Sequence, residues 1–402
     1  MRRTLTAGFA LAMTLISCAT AQQTDSTLPP LEGAPGLTSP TPTIGDVDIT
    51  APVDDTVPIV NPTRAITAAD VPPPADCVVS AMSAQGQLTF AFSDIIYALN
   101  PDATLTCLAD LASTPSQLRW SPDGDEVLLS PQRLLRADGT VADTQFSETN
   151  TGISWSQPTG KALITPNPAT GQLFWRNAGS LDERLDITFT NGTIAAAYHP
   201  SGTQIAAIGT GINDGKPGVF IASNRGEKAQ RVDSPDDGKP TELAFDMSGS
   251  SLVLVHKHAD GGGHVHRYLL GSGDLLTIAS TSTVPVDLSV STVDEGDVAW
   301  VESPAGEPSV LYTVIGLEDT DPVPVSLPAD TVGTPLGWLP GHRLVIAVRP
   351  AGASAGGAFD LWIWTPAGSS LIASGVVAAG PRVAHGPWSD PPGLAGGNGG
   401  EA

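Results

Sequence analysis

Four of the chain's seven histidines, His256, His258, His264 and His266, flank Asp260-Gly261-Gly262-Gly263 in the stretch VHKHADGGGHVHRY. Side chains alternate across a strand, so His256 and His258 share one face, as do His264 and His266. If 258 pairs with 264 and 256 with 266, all four point the same way, with opposed Cβ atoms about 5 Å apart. Neutral imidazoles that close can share a zinc, copper or nickel ion, so a divalent metal is the one cofactor these residues suggest. A slip of one residue would put the two pairs on opposite faces. The plain alternative is a solvated, glycine-tipped hairpin.

Other chemistry-bearing residues are more scattered. His199 and His342 sit in turns, and His385 lies near the C-terminus. The acidic turns Asp123-Gly124-Asp125-Glu126, Asn213-Asp214-Gly215 and Asp236-Asp237-Gly238 lack the spaced ligand loop of a dedicated calcium site and read as solvated turns. Trp120, Trp155, Trp300, Trp338, Trp362 and Trp364 fall on apolar strands, where large aromatics fill the space between packed sheets. No Gly-x-Ser-x-Gly elbow, Gly-Lys-Ser/Thr phosphate loop or His-Glu-x-x-His helix occurs. No catalytic residue is therefore assigned, and catalysis is not the expected activity.

The elements that must carry these residues announce themselves by repetition. LRWSPDGDEVLLS, Leu118 to Ser130, reads as two short strands joined by Pro122-Asp123-Gly124, whose residue types suit the corners of a tight turn. The unit returns as ISWSQPTGKALIT, AAAYHPSGTQIAAIG, ELAFDMSGSSLVLVH, DLSVSTVDEGDVAWV and LGWLPGHRLVIAV. A second strand–turn–strand unit follows each copy, and LTFAFSDIIYALNPDATLTCL supplies the later three strands of one more. The spacing fits four strands per repeat and an all-β propeller of seven blades, with six or eight as the neighbouring counts. Trp120-Ser121-Pro122-Asp123-Gly124 resembles the repeat of TolB-type (WD40-like) β-propellers, with Trp155 to Gly160, Tyr198 to Gly202 and Phe245 to Gly249 matching progressively less well. The resemblance implies a periplasmic or cell-surface scaffold over roughly residues 80–390 and carries no partner, because TolB lacks the tether described next.

The chain has 402 residues and a net charge of −23 with only 15% charged residues, while Gly (43) and Pro (36) are abundant. That composition suits many short strands and turns. The acidity excludes nucleic acid and favours cations or basic protein patches as partners. Arg2-Arg3, the apolar run Leu5 to Ile16 and Leu15-Ile16-Ser17-Cys18 resemble a bacterial lipoprotein signal with its lipobox, so residues 1–18 are read as a signal peptide with Cys18 as the lipidated residue. Residues 19–76 hold eleven prolines, eight acidic residues and one basic one, and read as a disordered tether. The propeller then spans 77–393 and a flexible tail 394–402. An exported chain leaves Cys77 and Cys107 as an even pair in an oxidising compartment.

Ring closure links these readings. Pro381 to Gly393, with Trp388-Ser389, echoes an inner strand that lacks its followers, and would complete the first blade from inside. A Cys77–Cys107 bond needs Cα atoms within about 7 Å, which puts Cys77 on the outside of that blade, beside Cys107. The expected protein is a monomeric, membrane-anchored lipoprotein on the extracytoplasmic face of the cell envelope, binding a protein or peptide, with a basic partner favoured. The alternative is a metal-dependent enzyme or metal-binding protein built on the histidine hairpin.

Overall fold

The structure, a computed structural model, describes residues 64–382 apart from short breaks at 75–76, 78–86, 148–151, 158–159, 161, 168–169, 178–183, 213–214, 234–237, 318–320 and 355. The Cys18 lipobox, the tether up to residue 63, Asn213-Asp214, Asp236-Asp237, His385, Trp388 and the 394–402 tail lie outside the described residues.

Seven four-stranded antiparallel sheets form, one per repeat. Blade one takes β1 (Gln87–Phe92), β2 (Ile95–Leu99) and β3 (Leu105–Asp110). Blade two comprises β4 (Arg119–Trp120), β5 (Val127–Ser130), β6 (Arg133–Leu135) and β7 (Val141–Asp143), and blade three β8 (Ser154–Trp155), β9 (Ala162–Pro166), β10 (Leu173–Asn177) and β11 (Arg184–Ile187). Blade four holds β12 (Thr190–Tyr198), β13 (Gln204–Gly211), β14 (Pro217–Ser223) and β15 (Gln230–Arg231). Blade five is β16 (Lys239–Phe245), β17 (Ser251–Lys257), β18 (Gly263–Leu269) and β19 (Leu275–Thr281). Blade six is β20 (Val286–Val290), β21 (Val298–Glu302), β22 (Val310–Val314) and β23 (Val323–Pro324). Blade seven is β24 (Thr331–Leu339), β25 (Arg343–Pro350), β26 (Phe359–Thr365) and β27 (Gly368–Val376), and β28 (Ala378–Arg382) follows at once. Seven such sheets in sequence, each consuming one repeat, make a seven-bladed β-propeller.

The second strand of each blade is buried on both faces, because a blade sits between two others. β17, for example, turns Leu252 and Leu254 toward Ala206, Ile208 and Val219 of blade four, and Val253 toward Val298 and Trp300 of blade six. Continuous apolar runs such as LVLV in β17 and LVIAV in β25 are the sequence trace of this two-sided burial. The tryptophans pack as expected between blades. Trp120 donates Nε1–H to Thr89 Oγ1 of blade one at 2.8 Å, and Trp155 donates to the Arg119 carbonyl of blade two at 3.1 Å.

Closure occurs from inside, as the lone-strand reading expects, but earlier in the chain. β28 pairs with β1, Thr89 opposite Gly380, so the sheet order is β28-β1-β2-β3. The strand is Ala378–Arg382 rather than the Trp388 segment. A single residue separates it from β27, and small residues let it slip between blades. At Gly380 an added Cβ would lie 2.1 Å from the Leu118 carbonyl oxygen, so only glycine fits this crossing. Arg382 is fully buried at the seam, its Nε donating to the Gly124 carbonyl at 2.8 Å and its guanidinium lying 4.4 Å over the Trp120 ring. Blade one is stapled on its outer side by a Cys77–Cys107 disulfide with Cα atoms 4.6 Å apart, as the closure argument required.

The tether boundary is corrected by this structure. Residues assigned to it by composition dock on the propeller: Ile66 is buried, donates its N–H to the Ile372 carbonyl at 2.8 Å and accepts from Ser374 N at 2.9 Å. Asp70 caps the backbone N–H of Thr67 at 2.9 Å and pairs with Arg64, and Tyr97 reaches the Pro72 carbonyl. One isoleucine in a proline-rich run has no period, so nothing in the local pattern marks it as core.

Candidate functional site

The repeat's most recognisable residues hold the ring together. Ser121 Oγ accepts from Glu126 N at 3.0 Å across the first turn of blade two. In blade four His199 stands at the serine position, its Nδ1 within 2.7 Å of Ser201 Oγ and its Nε2 within 3.0 Å of the Gly249 carbonyl of blade five. Burial pulls the His199 pKa down. Between blades six and seven, Asp294 accepts from His342 N at 2.9 Å, and Asp297 Oδ2 lies 2.8 Å from His342 Nδ1. Burial pushes the Asp297 carboxyl up, against the opposing pull of His342. Among the described residues this is the one place where three potential ligand atoms, from Asp294, Asp297 and His342, meet within 4.8 Å. Asp297 Oδ1 also accepts from Gly316 N at 2.9 Å, so these carboxylates are occupied in joining turns within blade six and across to blade seven. Toward the central channel, Glu242 of β16 caps two inner-strand donors of blade six, Asp287 N at 3.1 Å and Leu288 N at 2.7 Å. Its own pKa is raised by burial.

The histidine hairpin lies at the other end of blade five. Its turn is tighter than the 258–264 pairing supposes: His256 stands opposite His264, and Leu254 opposite His266. The chain reverses over Ala259-Asp260-Gly261, with Gly261 at φ 96° and Asp260 Oδ1 accepting from Gly262 N at 3.0 Å. A left-handed third residue closes such a loop, and that position favours glycine. The register differs from the expected one by two residues, an even number, so all four histidines keep a common face. Ring centroids lie 4.1 Å apart for His258–His264, and 5.1 Å for both His264–His266 and His256–His266. The four imidazoles form one row, half-buried at His258 and His264 and buried at His266 and His256.

That face looks onto blade four, which supplies a residue absent from the sequence reading. Asp233, in the connection from blade four to blade five, has a fully buried side chain. Its Oδ1 accepts from Val219 N at 2.9 Å and from Arg231 Nε at 3.0 Å. Its Oδ2 has no hydrogen-bond partner and lies 3.5 Å from His256 Nε2. His256 is 0% exposed and neither of its ring nitrogens makes a hydrogen bond. His266 Nδ1 lies 3.3 Å from Thr277 Oγ1 of β19. A cleft of about 620 Å³ opens beside them, lined by Arg231, Asp233, His266, Tyr268, Leu275 and Thr277 among others. Asp233, in an interblade connection, and His256, in β17, are twenty-three positions apart, and no motif joins them.

No family model matches the chain, and no curated protein matches it. Solved structures similar to it include a protein described as TolB from Agrobacterium tumefaciens, 14% identical over 60% of this chain and 93% of that one, with a TM-score of 0.45. TolB from Acinetobacter baumannii is 14% identical over 77% and 87%, with a TM-score of 0.44. An oligogalacturonate lyase in complex with manganese is 13% identical over 63% and 79%, with a TM-score of 0.48. Among the described residues, no helix is long and apolar enough to cross a membrane.

Proposed function

We propose that the protein is a lipid-anchored scaffold of the cell envelope whose propeller binds a protein or peptide partner with a basic surface. The observation that carries this reading is the exposed apolar pair of blade four, at the end of the blades away from the repeat turns. At one end, the repeat residues Ser121, His199, Asp294 and Asp297 are engaged within their turns or across to the next blade. At the other end, blade four leaves Ile194 and Ile212 about half exposed, at 50% and 54%. Ile212 follows the end of β13, and Ile194 lies in the bulge of β12 between Asn191 and Ala195. Apolar side chains held on a rigid rim suit a protein partner, and the acidity of the chain supports a basic one. The lipoprotein-like signal and the proline-rich segment support a membrane-tethered presentation, with the head held away from the bilayer.

The test is made in cells with the full chain. A photoreactive residue at Ile212 is compared with one at Met247, which lies in a turn at the opposite end of the blades. The expected result is a protein adduct from position 212, weakened by high salt, and none from 247. Cys18→Ser is expected to leave the membrane fraction and to lose fatty-acid labelling. No adduct at 212, or an unchanged membrane association of Cys18→Ser, would overturn the corresponding half of the proposal. The second reading, a metal-binding protein, is favoured by the buried His256–Asp233 pair and is developed next.

A further inference from the structure

The structure points to a divalent transition-metal site at the junction of blades four and five, with His256 Nε2, Asp233 Oδ2 and His266 as protein ligands. A buried polar atom without a partner is costly, and two of them, on a fully buried imidazole and a fully buried carboxylate, face each other across 3.5 Å. That separation matches one edge of a tetrahedral zinc site: bonds of about 2.0–2.1 Å place neighbouring ligands roughly 3.4 Å apart.

The surroundings hold the carboxylate in place. Val219 N and Arg231 Nε hold Asp233 by Oδ1 alone, which fixes the carboxylate with Oδ2 toward His256. Thr277 Oγ1 lies 3.3 Å from His266 Nδ1 in the metal-free arrangement. Outer partners of this kind are what hold ligands in place at metal centres. His266 must turn on its side-chain bonds to complete the set, since three ligand atoms converge within 4.8 Å only at Asp294, Asp297 and His342 among the described residues. The cleft lined by Asp233 and His266 gives that ring room and admits a water as fourth ligand. His264 and His258 continue the row from the buried pair to the half-buried hairpin, a line of imidazoles along which an ion can enter. A carboxylate with imidazoles suits zinc, copper or nickel better than calcium or magnesium, which take mostly oxygen ligands. A proton shared between His256 and Asp233 would also relieve the pair, but it leaves the neighbouring imidazoles without a role.

The test uses the full chain, stripped with a chelator and titrated with zinc alone, with Co²⁺ as a spectroscopic probe. One zinc per chain is expected, together with a Co²⁺ absorption spectrum typical of four-coordinate geometry. Asp233→Asn and His266→Gln should each weaken binding by about tenfold or more, and His258→Gln with His264→Gln by much less. Each variant is first shown to melt at the metal-free wild-type temperature; if His266→Gln does not, His266→Asn replaces it. Absence of zinc binding by the wild-type chain would overturn the site, as would binding that survives Asp233→Asn and His266→Gln but is lost with His258 and His264. The latter would mark a surface histidine pair rather than a buried centre.

Discussion

Removing the Cys77–Cys107 bond tests the closure mechanism most directly. The disulfide spans 30 residues and ties the outer strand of blade one to the segment entering the propeller. Cross-linking a loop of that length removes about 12 cal/mol/K of denatured-chain entropy, which is about 3.6 kcal/mol at room temperature. For a domain of this size that corresponds to a fall in melting temperature of about 5 °C. Cys77→Ser, Cys107→Ser and the double substitution should melt together, because each removes the same single bond. Coupling of this kind is the signature of one shared interaction. Scanning calorimetry of the three variants, beside wild type with and without reductant, reads the effect. If the double variant melted within about 1 °C of oxidised wild type, the bond would not restrain the ring's seam. If the two single effects added, the loss would come from the packing of each side chain and not from the bond.

Two further perturbations follow from the same seam and its neighbours. Glu126, in the first turn of blade two, has its pKa pushed up to about 7 by burial, against the pull of Arg136. A carboxyl whose folded pKa is raised stabilises the fold fully below its unfolded pKa, and that contribution is lost as pH rises toward 7. Glu126→Gln should therefore match wild type near pH 4.5 and exceed it increasingly up to pH 7, with a constant gap above; equal melting temperatures at pH 8 would refute the burial argument. Ile66→Ala should cost about 2–4 kcal/mol, since a buried isoleucine would leave a cavity beside β27. Limited proteolysis should then cut near residues 64–74 in the variant and spare the wild type, and equal protection of both would show that the segment docks without Ile66.

Much of this architecture is legible in the chain because a propeller writes itself locally. Each blade needs two-sided apolar strands and tight turns at fixed intervals, and LRWSPDGDEVLLS and its weaker copies state both without reference to distant residues. Parity is legible too: the four histidines share a face in any even register, so their common orientation survived a turn two residues tighter than expected. What the sequence could not carry is which element lies beside which. Ile66 reads as one more residue of a proline-rich tether until the edge of β27 receives it. Closure is foreseeable as a need, yet the strand that meets it is Ala378–Arg382, chosen because Gly380 alone can pass the Leu118 carbonyl. Asp233 is an ordinary aspartate in an interblade link. Only the packing of blade four against blade five buries its Oδ2 against His256, 3.5 Å from Nε2.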